Sequence, residues 1–294
     1  MNKPRFFITD VFTDRKYGGN PLATFIDCDS LSDQEMQSIA KEINFSETTF
    51  ITSQQSVNGG YVVRIFTPTA EVEFAGHPTL GTAHVIRNHL LNAEVSSVNL
   101  HLRIGTIPVR FSQSAEGVPV LWMKQPPPRF GQTLDANTLS RVLGIGIDDV
   151  DLSCPIEEVS TGFPHIIVPL TNLDALRRVK INKDRYFALV AQTWPKLILV
   201  FSRQTYEPGQ ALSVRVFADF YGIEEDAATG SGNGCLAAYL VRHKTMGESI
   251  DITAGQGYEI GRPSRLALRA KESVEGIVVQ VGGSVVDVAQ GVWG

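Results

Sequence analysis

Apolar residues along this chain recur at two different periods, and the switches between them mark out the elements. Met36, Ile39, Ala40 and Ile43 repeat at helical spacing behind Ser32 and Glu35, which stand at the spacing of a capping box, so the pattern predicts a helix over 31–43. Short β-rich runs bounded by turn residues predict strands over 6–13, 21–26, 48–52, 98–104 and 107–112, then over 165–169, 197–202 and 212–218. Further helices are expected over 135–143 and 183–194. Hairpin-like runs follow around 258–260, 265–269 and 277–281, and 285–293 reads as one more strand.

Two stretches resemble each other. Residues 61–90 and 212–243 both run through a Val-Arg-(Ile/Val)-Phe strand, an acidic turn, a small-residue bend at Gly76 or Gly230, and an apolar helix ending in Arg and His. Every residue from Cys235 to Val241 is apolar or aromatic, and Leu80, Ala83, Val85 and Ile86 cover much of the other helix, so neither has the polar face of a surface helix. Each is therefore expected to be a central helix wrapped by a sheet. A chain that builds this unit twice can turn both helix starts toward one cleft.

Composition narrows the field. The 294 residues allow about two domains, and three consecutive prolines after Gln125 interrupt any sheet, which suggests a junction there. The expected division is a first domain at 1–124, a second at 125–282, and a last strand, 283–294, that is a candidate to return to the first. A formal charge of −5 without a basic stripe argues against a nucleic-acid partner. No window approaches the roughly 18 apolar residues of a membrane span and the start lacks a signal-peptide core, so a cytoplasmic protein with no membrane partner is expected. Three scattered cysteines suggest a reduced compartment. The six histidines form no HExxH and no cluster of ligand spacing, so no metal is expected, and His84 and His89 are assigned no chemistry.

Three places could carry chemistry. Gly76-His77-Pro78 has glycine and proline at a helix start, where unpaired N–H groups and the dipole bind carboxylates. Residues 226–234, Asp-Ala-Ala-Thr-Gly-Ser-Gly-Asn-Gly, open the second apolar helix; their small size lets a ligand approach the backbone, with Asp226 and Ser231 as polar partners. Their glycines give GxGxG, which does not fit a dinucleotide loop. Ser46-Glu47 follows the first helix beside Phe45, Phe50 and Ile51, a partly apolar setting that would suit Glu47 to shuttle a proton. Arg64 and Arg215 are expected to pair with acids such as Glu73 or Glu225. The residues 161–165 form either a pocket wall or a turn entering a strand.

The segments DVFTDRKYGGNPLATF (10–25), NFSETTFI (44–51), RIFTPTAEVEFAGHPTLGTAH (64–84), STGFPHIIVPL (160–170) and EDAATGSGNGCLAAYLV (225–241) together resemble the phenazine-biosynthesis PhzF-like isomerase family across nearly the whole chain. The resemblance implies an α+β fold like that of diaminopimelate epimerase: two pseudo-symmetric domains, each a curled sheet around a central helix, with the active site in the cleft between them. It also implies that Glu47 is the catalytic acid/base of a hydrogen shift that needs no cofactor. By the same match, Ser46, Gly76, His77, Asp226 and Ser231 belong to the site, and Asn20 and Gly230 line the substrate pocket. Related epimerases use two thiols, and here the corresponding places near Ala75 and Thr229 hold none, while Cys235 reads as core.

The resulting expectation is a cofactor-independent isomerase of a small cyclic or amino-acid-like carboxylate, with Glu47, His77 and Asp226 as its catalytic groups. An epimerase using Glu47 and Asp226 in place of thiols, or a non-catalytic small-acid binding protein of the same fold, is the alternative. A homodimer is expected from the family.

Overall fold

The structure is a computed structural model that describes residues 3–53, 55–114 and 117–294. The chain divides into two units, one running to Lys124 and including Gly282–Gly294, the other comprising Gln125–Val281.

In the first unit, β1 (Arg5–Val11) and β2 (Asn20–Ile26) form an antiparallel pair. The turn between them needs glycine at position 19, where φ is +63° and a Cβ would meet the Val11 carbonyl oxygen at 2.2 Å. Helix α1 (Asp33–Ile43) then crosses over to β3 (Thr48–Ile51), which lies parallel to β2. The capping box is formed: the Glu35 N–H donates to Ser32 Oγ at 3.3 Å and the Ser32 N–H to Glu35 Oε2 at 2.8 Å. Asn44 in the left-handed region (φ 56°) ends the helix and turns the chain toward β3.

Strand β4 (Tyr61–Phe66) runs antiparallel to β3 and pairs with the two-residue β5 (Glu71–Val72). The second crossover is helix α2 (Gly76–Val85), continued by a π-helical segment (Ile86–Leu91), which leads to β6 (Ser97–Leu102) parallel to β4. β7 (Gly105–Gln113) and β8 (Pro119–Lys124) add two antiparallel strands, and the C-terminal strand, Val285–Val292, pairs antiparallel with β1.

Helix α2 touches β1, β2, β3, β6, β7, β8 and the C-terminal strand, so the sheet curls around it. Its lack of a polar face follows from this enclosure. A Cβ on Gly81 would come within 2.5 Å of Leu22 Cδ2, so glycine sets how closely the helix lies on β2. Thr82 Oγ1 donates to Thr49 Oγ1 at 2.8 Å, which donates to Thr24 Oγ1 at 3.0 Å, a buried hydroxyl chain tying the helix to β3 and β2. On the outer face, Met36, Ile39 and Ala40 of α1 pack on Ala23, Phe25, Phe50 and Phe66. Covered on both faces, β2 and β3 are buried along nearly their whole length rather than at alternate positions.

The second unit repeats this plan. It contains β9 (Arg129–Leu134), α3 (Ala136–Leu143), β10 (Ile156–Ser160), β11 (Pro164–Pro169), α4 (Leu173–Arg178), α5 (Lys183–Val190), β12 (Leu197–Ser202), β13 (Leu212–Ala218), β14 (Ile223–Asp226), α6 (Gly230–Arg242), β15 (Ser249–Gln256), β16 (Ser264–Ser273) and β17 (Gly276–Gly283) up to Val281. The antiparallel pair β10–β11 corresponds to β1–β2. The crossover through α4 and α5 to the parallel β12 corresponds to α1 and β3. The crossover through α6 from β13 to the parallel β15 corresponds to α2 between β4 and β6. Helix α6 touches β10, β11, β15 and β16, while α3, α4 and α5 bury Leu139, Val142, Leu176 and Tyr186 on the outer face.

The duplication is therefore wider than the strand, turn and helix that sequence similarity reveals. It takes in the preceding hairpin and outer crossover of each unit. Three local readings change. Residues 258–260 form a turn, and the hairpin strands flanking it are β15 and β16, paired from Gln256–Ser264 outward. The helix expected over 183–194 ends at Val190, and α4 is an additional short helix. No helix among the described residues is long and apolar enough to cross a membrane.

Candidate active site

The first unit presents the N-terminus of α2 together with the segment that enters β3. The N-cap of α2 is Ala75 in extended backbone, with no side-chain cap, and Gly76 and His77 are the first two helical residues. Glu47 immediately precedes β3, because the left-handed Asn44 stops α1 three residues earlier. The outcome is an approach of two titratable groups: His77 Nε2 lies 3.5 Å from Glu47 Oε2. His77 is buried, and its ring also hydrogen-bonds to the backbone of Pro21, next to Asn20 at the start of β2. Proline offers only a carbonyl, so the ring N–H donates there. Nε2, the nitrogen facing Glu47, makes no hydrogen bond of its own, so the Pro21 contact is consistent with a donor at Nδ1.

Burial pushes the His77 imidazole down to about 3, with the Pro21 contact opposing only in part. The ring is therefore neutral at physiological pH. Among the sequence candidates, Asn20 (through Pro21), Glu47 with its neighbour Ser46, Gly76 and His77 are gathered in this unit.

The second unit presents the corresponding helix start. Thr229 is the N-cap of α6, and Gly230 and Ser231 are its first two residues, all buried. Asp226 ends β14, and Thr229 Oγ1 donates to its Oδ2 at 2.5 Å. Gln256, the last residue of β15, holds the loop from below. Its Nε2 donates to the Asp226 carbonyl at 2.8 Å and to Thr229 Oγ1 at 3.0 Å, and its Oε1 accepts from Asn233 Nδ2 at 2.8 Å. Gln256, Thr229 and Asn233 brace this loop by hydrogen bonds, and sequence reasoning passes over them. Only Thr229 and Asn233 lie within the glycine-rich motif, and Gln256 is far along the chain with nothing local to mark it.

Gly232 and Gly234 serve packing. A Cβ at Gly232 would meet His165 Nε2 at 3.0 Å, and one at Gly234 would meet Thr161 Oγ1 at 2.9 Å. Residues 161–165 are thus the turn into β11 against which α6 packs. Cys235 lies fully buried there, with Phe163 and Thr161 around its sulfur, and burial pushes its thiol up to about 12. The two helix N-caps, Ala75 and Thr229, carry no thiol.

The arginines are structural. Arg64 forms a two-point ion pair with Glu71 and also reaches Asp33, while Arg215 forms one with Glu225. The partner expected at Glu73 is thus Glu71, the residue directly on β5.

The family model for phenazine biosynthesis-like proteins (PhzC-PhzF) matches residues 9–291. The chain belongs to the PhzF family. It is 37% identical over 292 residues to a trans-2,3-dihydro-3-hydroxyanthranilate isomerase of Pseudomonas aeruginosa, covering 98% of each chain. The crystal structure of a Bacillus anthracis phenazine biosynthesis protein of the PhzF family superposes with a TM-score of 0.91 at 29% identity, covering 99% of each chain. A probable proline racemase from Agrobacterium radiobacter shares the fold alone, with a TM-score of 0.63 at 9% identity over 99% of this chain and 93% of that one. The architecture is the diaminopimelate epimerase-like α+β fold of this PhzF family member, and the chain is an isomerase.

Proposed function

We propose that this PhzF family member moves a proton between two carbon positions of a small cyclic carboxylate without a cofactor, and that Glu47 takes and returns that proton. The observation that carries the reading is the approach of Glu47 to a neutral His77 at an uncapped helix start. A carboxylate beside a neutral imidazole can accept a proton from carbon without a neighbouring cation competing for the charge. The dipole and N–H groups at the start of α2 favour an anion there, which suits both a substrate carboxylate and the delocalised anion left by proton removal. His77, with its lone pair toward Glu47, orients the carboxyl and accepts a hydrogen bond from its protonated form.

We assign Asp226, held by Thr229, and the helix start at Gly230 and Ser231 to substrate binding and proton relay. Asn20, Ser46 and Gly76 complete the assigned substrate-binding set. These assignments rest on the motif resemblance, together with the burial of Asn20, Gly76, Asp226, Gly230 and Ser231 and the hydrogen bonds that hold Asp226. The relative named for a dihydro-hydroxyanthranilate supports a cyclic amino-acid-like carboxylate as the substrate class.

The test is Glu47→Gln with trans-2,3-dihydro-3-hydroxyanthranilate and chemically similar cyclic acids in deuterated water. Wild type is expected to produce a rearranged product that carries deuterium at carbon to the extent that the Glu47 carboxyl exchanges with solvent before it returns the proton. The variant should lose on the order of 100-fold or more in rate, the usual range for a general acid/base. Equal turnover by the variant refutes the role of Glu47, and inversion of a stereocentre without double-bond migration would identify an epimerase instead.

A further inference from the structure

A second cluster of chemistry-bearing residues lies at the other end of the central helix of the first unit. His84 is in the last turn of α2, His89 is in the π-helical segment, and Asp287 is on the C-terminal strand. His84 Nε2 is 3.3 Å from Asp287 Oδ1, and His89 Nε2 is 3.2 Å from both Asp287 oxygens. One ligand atom from each of the three side chains lies within 4.8 Å of the others, the only such grouping among the described residues.

We propose that His84, His89 and Asp287 form a binding site for a first-row divalent cation of the zinc type, tying the end of the central helix to the C-terminal strand.

Four arguments carry this. Two imidazoles and one carboxylate are the donors that zinc and its first-row neighbours prefer over magnesium or calcium. The spacing also fits. Metal–ligand bonds of about 2.0–2.1 Å in a tetrahedral site place donors about 3.3 Å apart, close to the two imidazole–carboxylate separations. The donors are also held in place. The His89 ring stacks on Phe7 with centroids 4.3 Å apart, and the Asp287 carboxylate is held between the two imidazoles. Finally, the place suits a cation. It lies toward the C-terminal, negative end of the helix, and the Asp287 side chain is half exposed, so an ion can enter.

The spacing explains why the sequence gives no warning. In an α-helix, residues five apart point about 140° away from each other, so His84 and His89 would not share a face. The π-helical segment that begins at Ile86, between the two, changes this angle, and both Nε2 atoms reach Asp287 Oδ1. The absence of ligand spacing in the sequence is therefore an absence of α-helical ligand spacing.

The experiment uses the full chain, stripped with chelator, and titrates Co²⁺ by visible absorption and Zn²⁺ by calorimetry and thermal melting. The expected result is one equivalent bound with a d–d band of low-symmetry cobalt and a rise in Tm, and a loss of affinity on the order of 100-fold in Asp287→Asn and His89→Gln. Both variants are first melted without metal. Should either be too unstable to titrate, His84→Gln reads the same ligand set. No binding by wild type, or undiminished binding by the folded variants, overturns the proposal. Isomerase activity provides an independent readout, because none of these residues is assigned to the catalytic machinery, and the variants are expected to keep it.

Discussion

His77 Nε2 lies 3.5 Å from Glu47 Oε2 on a ring that burial holds neutral, so the two groups share no ion pair at physiological pH. His77→Gln should lower kcat by roughly 100-fold through loss of carboxyl orientation. The acid limb of the rate profile between pH 4 and 8 should survive in that variant, because an imidazole titrating near 3 cannot generate it. Disappearance of the limb in His77→Gln would identify His77 as the titrating group and overturn its assignment as a neutral partner.

Stability should fall with acidification because of two buried histidines. His77 is pushed down to about 3 and His165 to about 4, both mainly by desolvation, against an ordinary value of 6.5. Below 6.5 the unfolded chain binds protons that the native rings do not, so stability is intact above that pH and is lost as pH falls toward the native values. Each group contributes a slope of roughly 1.4 kcal/mol per pH unit within its window. Guanidinium unfolding of wild type and His165→Asn between pH 7 and 4.5 checks this: the variant should be less stable at pH 7 and show a shallower decline. Equal slopes would mean that His165 titrates alike in both states.

Thr229 stands between Gln256 and Asp226. Thr229→Val preserves shape but removes the hydroxyl that accepts from Gln256 and donates to Asp226, leaving buried polar groups with fewer partners. The expected cost is about 1–3 kcal/mol in stability, with a fall in activity beyond what partial unfolding explains. Thr229→Ser should restore most of both. If Thr229→Val loses stability but keeps kcat and KM, the hydroxyl serves the fold alone and Asp226 needs no such support.

The sequence was most legible where local chemistry decides structure. Ser32 and Glu35 predicted a helix start because a capping box acts over three residues, and β12 and β13 were bounded correctly because β12 is apolar up to Ser202 and β13 is rich in apolar and β-branched residues around Ser213 and Arg215. The apolar helix containing Cys235 announced its own enclosure. What escaped depends on distant partners. Gln256 braces Asp226 from across the unit. The pairing of Arg64 with Glu71 rather than Glu73 depends on where β5 starts and ends: Glu71 pairs with Phe66 of β4, and Glu73 lies beyond the strand. The full extent of the duplication escaped too, because crossovers through one helix in one unit and two in the other leave no common residue pattern. At the candidate site, Glu47 and His77 were visible as separate motifs, while their mutual approach depends on β3 lying beside β4 and on where α2 begins.

Cys235 supplies a test of thiol chemistry. Burial pushes its thiol up to about 12, and its surroundings are Phe163, Thr161 and His165. Cys235→Ala should keep activity within a few-fold while lowering Tm through a small cavity worth about 1 kcal/mol. Iodoacetamide should leave the folded wild-type enzyme active. Inactivation that is absent in Cys235→Ala would require the thiol to be reachable and would argue for a different mechanism.

Gly257, the residue after Gln256, packs directly against the Asp226 loop. Its φ is +80°, and a Cβ would come within 2.4 Å of the Arg262 carbonyl oxygen and 2.5 Å of that of Ala227, the residue after Asp226. Both obstacles are backbone, so neither can rotate away. Gly261 offers the matched comparison, since its φ is +70° and a Cβ there meets nothing within 4 Å. Gly261→Ala should therefore show only the left-handed strain of about 1–2 kcal/mol. Gly257→Ala adds overpacking of a further 1–3 kcal/mol or so, and by displacing Ala227 it should lower kcat at temperatures where the protein remains folded. Equal melting temperatures for the two variants, or full activity in Gly257→Ala, would show that the Asp226 loop yields without consequence and that Gly257 does not set its position.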